Sequence, residues 1–113
     1  MAKQDNKIVT LSSGNVFADL KLPNAEELQT KVRLAASINA ILTRRRLTQV
    51  QAARVLGVNQ PKVSALKGYK LEGFSVGRLM RFVTALEHDL VIEIRPHTKA
   101  KGAAARIQVV VAA

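Results

Sequence analysis

The chain has 113 residues, 48% of them apolar and only 4% aromatic, which suits one domain with a modest aliphatic core. It carries no cysteine, which excludes a disulfide framework and a thiolate metal site, and no apolar run of the roughly 18 residues a membrane span needs. Eighteen Lys and Arg against eight Asp and Glu leave a net charge of +10, a balance that attracts polyanions, nucleic acid first and anionic membrane second.

Residues 1–13 are polar and aperiodic, and read as a disordered tail. They lack the apolar block of a signal peptide, so a cytoplasmic location is expected. A compact domain is placed at 14–96. Its first segment, Gly14 to Pro23, carries Val16, Phe17, Leu20 and Leu22 and is expected to pack against the first helix.

Four helix starts follow, each with a polar cap residue between apolar flanks. Asn24 has Glu27 three residues on, Thr48 has Gln51, and Asn59 and Ser75 stand between apolar neighbours. Helix one is expected from Ala25 to Arg45, with an apolar stripe of Leu28, Val32, Ala35, Ile38 and Leu42. Glu26 and Glu27 in its first turn and Arg44 and Arg45 in its last suit the macrodipole. Helix two spans Gln49 to Leu56 and buries Ala52, Ala53 and Leu56. Helix three spans Gln60 to Lys67, tolerates Pro61 in its first turn, and is expected to stop on a left-handed Gly68. Helix four runs from Val76 to about Glu87 and buries Leu79, Phe82, Val83 and Leu86.

The period then changes. In Asp89 to Arg95, DLVIEIR, alternate residues Leu90, Ile92 and Ile94 fall on one face, which predicts a strand. Residues 97–113 begin as a basic linker, and Ile107 to Val111 form a candidate second strand. A lone strand or hairpin is marginal, and its open edge invites pairing with a second copy. Leu90, Ile92 and Ile94 are therefore the dimerisation candidates. The fold class is mainly α: a bundle of four to five helices followed by a C-terminal β-strand or hairpin used in dimerisation.

Helices two and three, joined by a tight turn containing Gly57, have the layout of a DNA-reading helix-turn-helix. From Arg44 to Arg81 there are nine basic residues and one acid, Glu72. At the start of helix three stand Gln60, Lys62 and Ser64, the candidates for reading base edges. Gln60 can bond adenine bidentately, Lys62 can donate to guanine N7 and O6, and Ser64 can bond a base or a phosphate. Phosphate contacts are expected from Gln49, Thr48, Arg54, Lys67, Tyr69 and Lys70. Gln49 can also brace Gln60. Thr48 caps first and contacts phosphate second, and Tyr69 suits core packing as well as phosphate binding. Arg44, Arg45 and Arg46 read mainly as a helix ending.

No enzyme chemistry is expected. His88 and His97 are isolated from any metal-ligand spacing, and neither a phosphate-cradling glycine loop nor a G-x-S-x-G elbow occurs. No metal and no cofactor are called for. His88 is read as a residue at a helix C-terminus.

The stretch TQVQAARVLGVNQPKVSALKG resembles the helix-turn-helix of the Xre, or Cro/cI-type, family, whose domains are lambda-repressor-like. Its flanks, NVFADLKLPNAEELQTKVRLAASI and GFSVGRLMRFVTALEHDLVIEIRP, resemble a HigA-like antitoxin subgroup, so the likeness covers about residues 14 to 96. The resemblance implies a homodimeric repressor that binds a palindromic operator in double-stranded DNA and neutralises a RelE/HigB-like ribonuclease toxin. Stand-alone and phage-borne regulators share this domain, and a regulator without a toxin partner is the alternative.

Overall fold

The computed structural model describes residues 25–98 and 104–111. The expected tail, the 14–23 segment and the Asn24 cap lie outside the described residues. Among the described residues four helices follow one another: α1 (Ala25–Arg44), α2 (Gln49–Leu56), α3 (Gln60–Lys67) and α4 (Val76–Ala85). None is long and apolar enough to cross a membrane. Two compact units result, one built on Lys31–Val91 and the other drawing Ile92–Val110 together with the opening of α1.

Side-chain caps set the helix starts. Thr48 and Gln51 form a reciprocal box: the Gln51 N–H donates to Thr48 Oγ1 at 3.1 Å, and the Thr48 N–H to Gln51 Oε1 at 2.9 Å. Asn59 Oδ1 accepts from the Lys62 N–H at 2.9 Å, and Ser75 Oγ from the Arg78 N–H at 3.1 Å. Such a cap contributes about 0.5–2 kcal/mol, which matters for helices of eight to ten residues.

All four helices stop on one left-handed residue; α1, α3 and α4 add the doubled Schellman bonding, whereas at the end of α2 the Gly57 and Val58 N–H groups both reach the Ala53 carbonyl. The left-handed residues are Arg46, Gly57, Tyr69 and Glu87, with φ of 56°, 72°, 59° and 65°. The N–H of the next residue reaches back in each case, as in Leu47 to the Leu42 carbonyl (3.1 Å) and Lys70 to that of Ala65 (2.9 Å). Gly68 is therefore not the left-handed stop of α3. Its φ is −89°, and Tyr69 takes that conformation one residue later.

Within Lys31–Val91, α2 packs on α3 and α4. The small Ala52, fully buried, lets the helices approach closely. In this unit the buried residues of α1 are Leu34, Ala35, Ile38, Ile41 and Leu42, whereas Leu28 and Val32 of the expected stripe are exposed. The apolar period of α1 is thus real but drifts: its N-terminal half presents those side chains to solvent. Phe74, from the loop after α3, meets Phe82 of α4 edge to face, with centroids 5.8 Å apart at 77°. The C-terminal ends of α1 and α4 are tied through one carbonyl, that of Leu86, which accepts from Arg45 Nη1 at 3.2 Å and from His88 Nδ1 at 3.0 Å.

No strand occurs among the described residues. Residues 89–96 make no backbone–backbone hydrogen bond there, and Ile92 and Ile94 are 70% and 93% exposed. A strand is defined by its partner, and the described residues supply none to this segment. In the other unit the Ile107 N–H donates to Glu26 Oε2 at 2.6 Å, joining residues 81 positions apart, but 104–111 likewise form no strand.

Candidate nucleic-acid interface

The segment Lys31–Val91 holds eleven Lys and Arg and three Asp and Glu. Its helix-turn-helix is rigidly specified. Thr48 and Asn59 fix where α2 and α3 begin, and Gly57 turns the chain between them with the Val58 N–H bonded to the Ala53 carbonyl at 3.0 Å. Val63 and Leu66 plug α3 into the core, with 0% and 1% exposure, so the opposite side of α3 must face out.

Gln60 and Ser64 occupy that outward side. They are four residues apart and exposed, hence neighbours on one helix face. Lys62 lies two residues from each and does not share their face. Its side chain is half-buried, and its Nζ stands 5.1 Å from the centre of the Phe74 ring. The three base-reading candidates therefore divide into an outward pair and one cation folded against the core.

Among the phosphate candidates, Gln49, Thr48, Arg54, Lys67, Tyr69 and Lys70 are all exposed. Thr48 Oγ1 accepts the Gln51 N–H, which leaves its own O–H to donate outward. Tyr69 is 46% exposed and sits outside the core, carried there by its left-handed backbone. Lys67 ends α3 and Lys70 follows its Schellman turn, so Lys67, Tyr69 and Lys70 cluster at the C-terminal end of α3. Gln49 and Gln60 open consecutive helices, but no hydrogen bond joins them among the described residues.

The arginine run is spent mostly on structure. Arg45 holds the Leu86 carbonyl, Arg44 Nη2 lies 3.4 Å from His88 Nε2, and Arg46 takes the left-handed turn. Since His88 Nδ1 points at a carbonyl, it carries the proton in this arrangement, and Nε2 accepts from Arg44.

Three residues with a part in the site had no signal as site residues in the linear pattern. Asn39 of α1 donates to the Leu66 carbonyl at 3.1 Å and braces the end of α3 from 27 residues away. Arg78, in the first turn of α4, has its guanidinium 5.8 Å from the centres of both the Phe74 and Phe82 rings. Gly73 lies beside Lys62 Nζ.

A protein-family model described as a helix-turn-helix domain matches residues 16–95. A solved structure named as an XRE family transcriptional regulator is also similar, at 59% identity and a TM-score of 0.75. That match covers 80% of this chain and 100% of the other. No curated protein matches the chain.

Proposed function

The chain belongs to the XRE family of helix-turn-helix proteins, and we propose that it is a sequence-specific repressor that reads a palindromic operator as a homodimer. One observation carries the reading. Gln60 and Ser64 stand side by side on the exposed face of α3, whose opposite face, Val63 and Leu66, is locked in the core. A rigid helix that offers two hydrogen-bonding side chains at its N-terminal end, on a strongly basic body, suits major-groove readout. Lys67, Tyr69, Lys70, Arg54, Gln49 and Thr48 supply phosphate donors around it. The role needs neither a catalytic group nor a cofactor.

The dimer contact is assigned to Leu90, Ile92 and Ile94. Their alternation, the exposure of Ile92 and Ile94, and a backbone of 89–96 without a backbone hydrogen bond among the described residues suit addition of a strand from a second copy. Two-fold symmetry would then set the half-site spacing.

The antitoxin role rests on the likeness of the flanking segments to HigA-like proteins. In that role the dimer also neutralises a RelE/HigB-like ribonuclease; the alternative is a regulator that has no toxin partner. Footprinting on DNA upstream of the protein's own gene tests the repressor reading. A symmetric footprint lost in Gln60→Ala/Ser64→Ala, with residual salt-sensitive binding to any duplex, is expected. An unaltered footprint in that variant overturns the assignment of α3. Co-purification with the product of an adjacent small reading frame separates antitoxin from stand-alone regulator.

A further inference from the structure

Lys62 is the residue of α3 whose chemistry and placement disagree. Its ammonium is the natural donor for a guanine edge, yet it is folded onto a ring that is only 2% exposed. The Phe74 face attracts it electrostatically at 5.1 Å, within the roughly 6 Å reach of such an interaction. The ring itself cannot swing away, because Phe82 meets it edge to face and Arg78 lies against both rings.

What admits the ammonium is the residue before the ring. A Cβ added at Gly73 would fall 2.8 Å from Lys62 Nζ and, its chain neighbours Glu72 and Phe74 aside, meet no other described atom within 4 Å. Gly73 does not have the positive φ that would demand a glycine for the backbone. Its missing side chain serves the lysine rather than the turn. A methyl group there displaces only the far end of a flexible side chain, which has open solvent to move into.

We propose that Gly73 determines base specificity without touching DNA, by allowing Lys62 to withdraw onto Phe74 so that only Gln60 and Ser64 read bases. The inference rests on α3 being the recognition helix. In the wild-type protein, Lys62 contributes charge near the DNA but no base preference. Filling the space at Gly73 releases the ammonium toward the groove and adds a guanine preference.

The test is selection of duplexes from a randomised pool, followed by sequencing, with wild type, Lys62→Met, Gly73→Ala and the double variant. Wild type and Lys62→Met are expected to select the same bases. Gly73→Ala should gain a guanine at one position of each half-site, favoured about fivefold or more over other bases. The double variant should lose that gain. A wild-type motif with a guanine that Lys62→Met abolishes overturns the inference, and that comparison needs no change at Gly73. A Gly73→Ala motif identical to the wild type also overturns it. A wild-type protein that selects no motif sinks the recognition-helix reading itself, and the inference falls with it.

Discussion

Asn39 donates through Nδ2 to the carbonyl of Leu66 at 3.1 Å, and so fastens the middle of α1 to the last turn of the recognition helix. The same carbonyl takes the Tyr69 N–H at 3.2 Å, so it is satisfied twice, while Asn39 Oδ1 is buried with no partner among the described residues. Asn39→Ala should therefore cost only about 0.5–1.5 kcal/mol, the net worth of one hydrogen bond. Asn39→Asp should cost more, because it replaces the donor with an acceptor facing a carbonyl. Urea melts of the two variants check the order; an Asp variant as stable as wild type would show the bond to be absent.

The left-handed helix ends give two substitutions of opposite sign. Gly57→Ala meets no atom within 4 Å, so its expected cost of about 1 kcal/mol comes from backbone strain at φ 72° alone. Glu87→Gly at φ 65° relieves the same strain and is expected to stabilise by about 0.5 kcal/mol after the entropy glycine adds to the unfolded chain. Thermal denaturation should move down for the first and up for the second.

Thr48 can be tested for capping and phosphate contact separately. Thr48→Ala removes the cap and should cost about 1 kcal/mol of stability as well as DNA affinity. Thr48→Asp keeps an acceptor for the Gln51 N–H, so stability should survive while the added negative charge repels phosphate. A Thr48→Asp protein that binds DNA as wild type does would remove Thr48 from the phosphate contacts.

Lys67 and Lys70 are exposed at the end of α3, and their role is electrostatic. Lys67→Gln/Lys70→Gln should lower affinity for all duplexes alike and reduce the slope of log K against log salt by about 0.9 for each lost contact. Binding titrations at several salt concentrations measure this. An unchanged slope places both lysines away from the backbone.

Ile92 is 70% exposed, so a charge there should leave the helical fold intact. Ile92→Asp is expected to shift dimer to monomer in sedimentation without changing the helical circular dichroism signal. A variant that remains fully dimeric moves the interface elsewhere.

Local chemistry in the sequence determined the helix starts and the helix-turn-helix almost to the residue. Caps such as Thr48–Gln51 and Asn59 act within one turn, and α2 and α3 begin and end where their spacing says. Helix ends were less legible, because left-handed Arg46, Tyr69 and Glu87 have no glycine to announce them; a Schellman turn depends on backbone bonds that many residues can make. The α1 stripe misled at Leu28 and Val32 for a related reason, since helical period shows which residues align but not how far along the helix the core extends. Only the tertiary structure showed that Lys62 folds onto Phe74 while Gln60 and Ser64 face outward. Along the chain the three are polar residues at the start of one helix, and spacing sets Lys62 off from the other two without saying what it meets. What divides them is a ring twelve positions beyond Lys62, Phe74, and the vacant space at Gly73, brought alongside by packing of the loop after α3. Charge and hydrogen-bonding capacity belong to the residue, but the face it presents is decided by what the fold puts beside it.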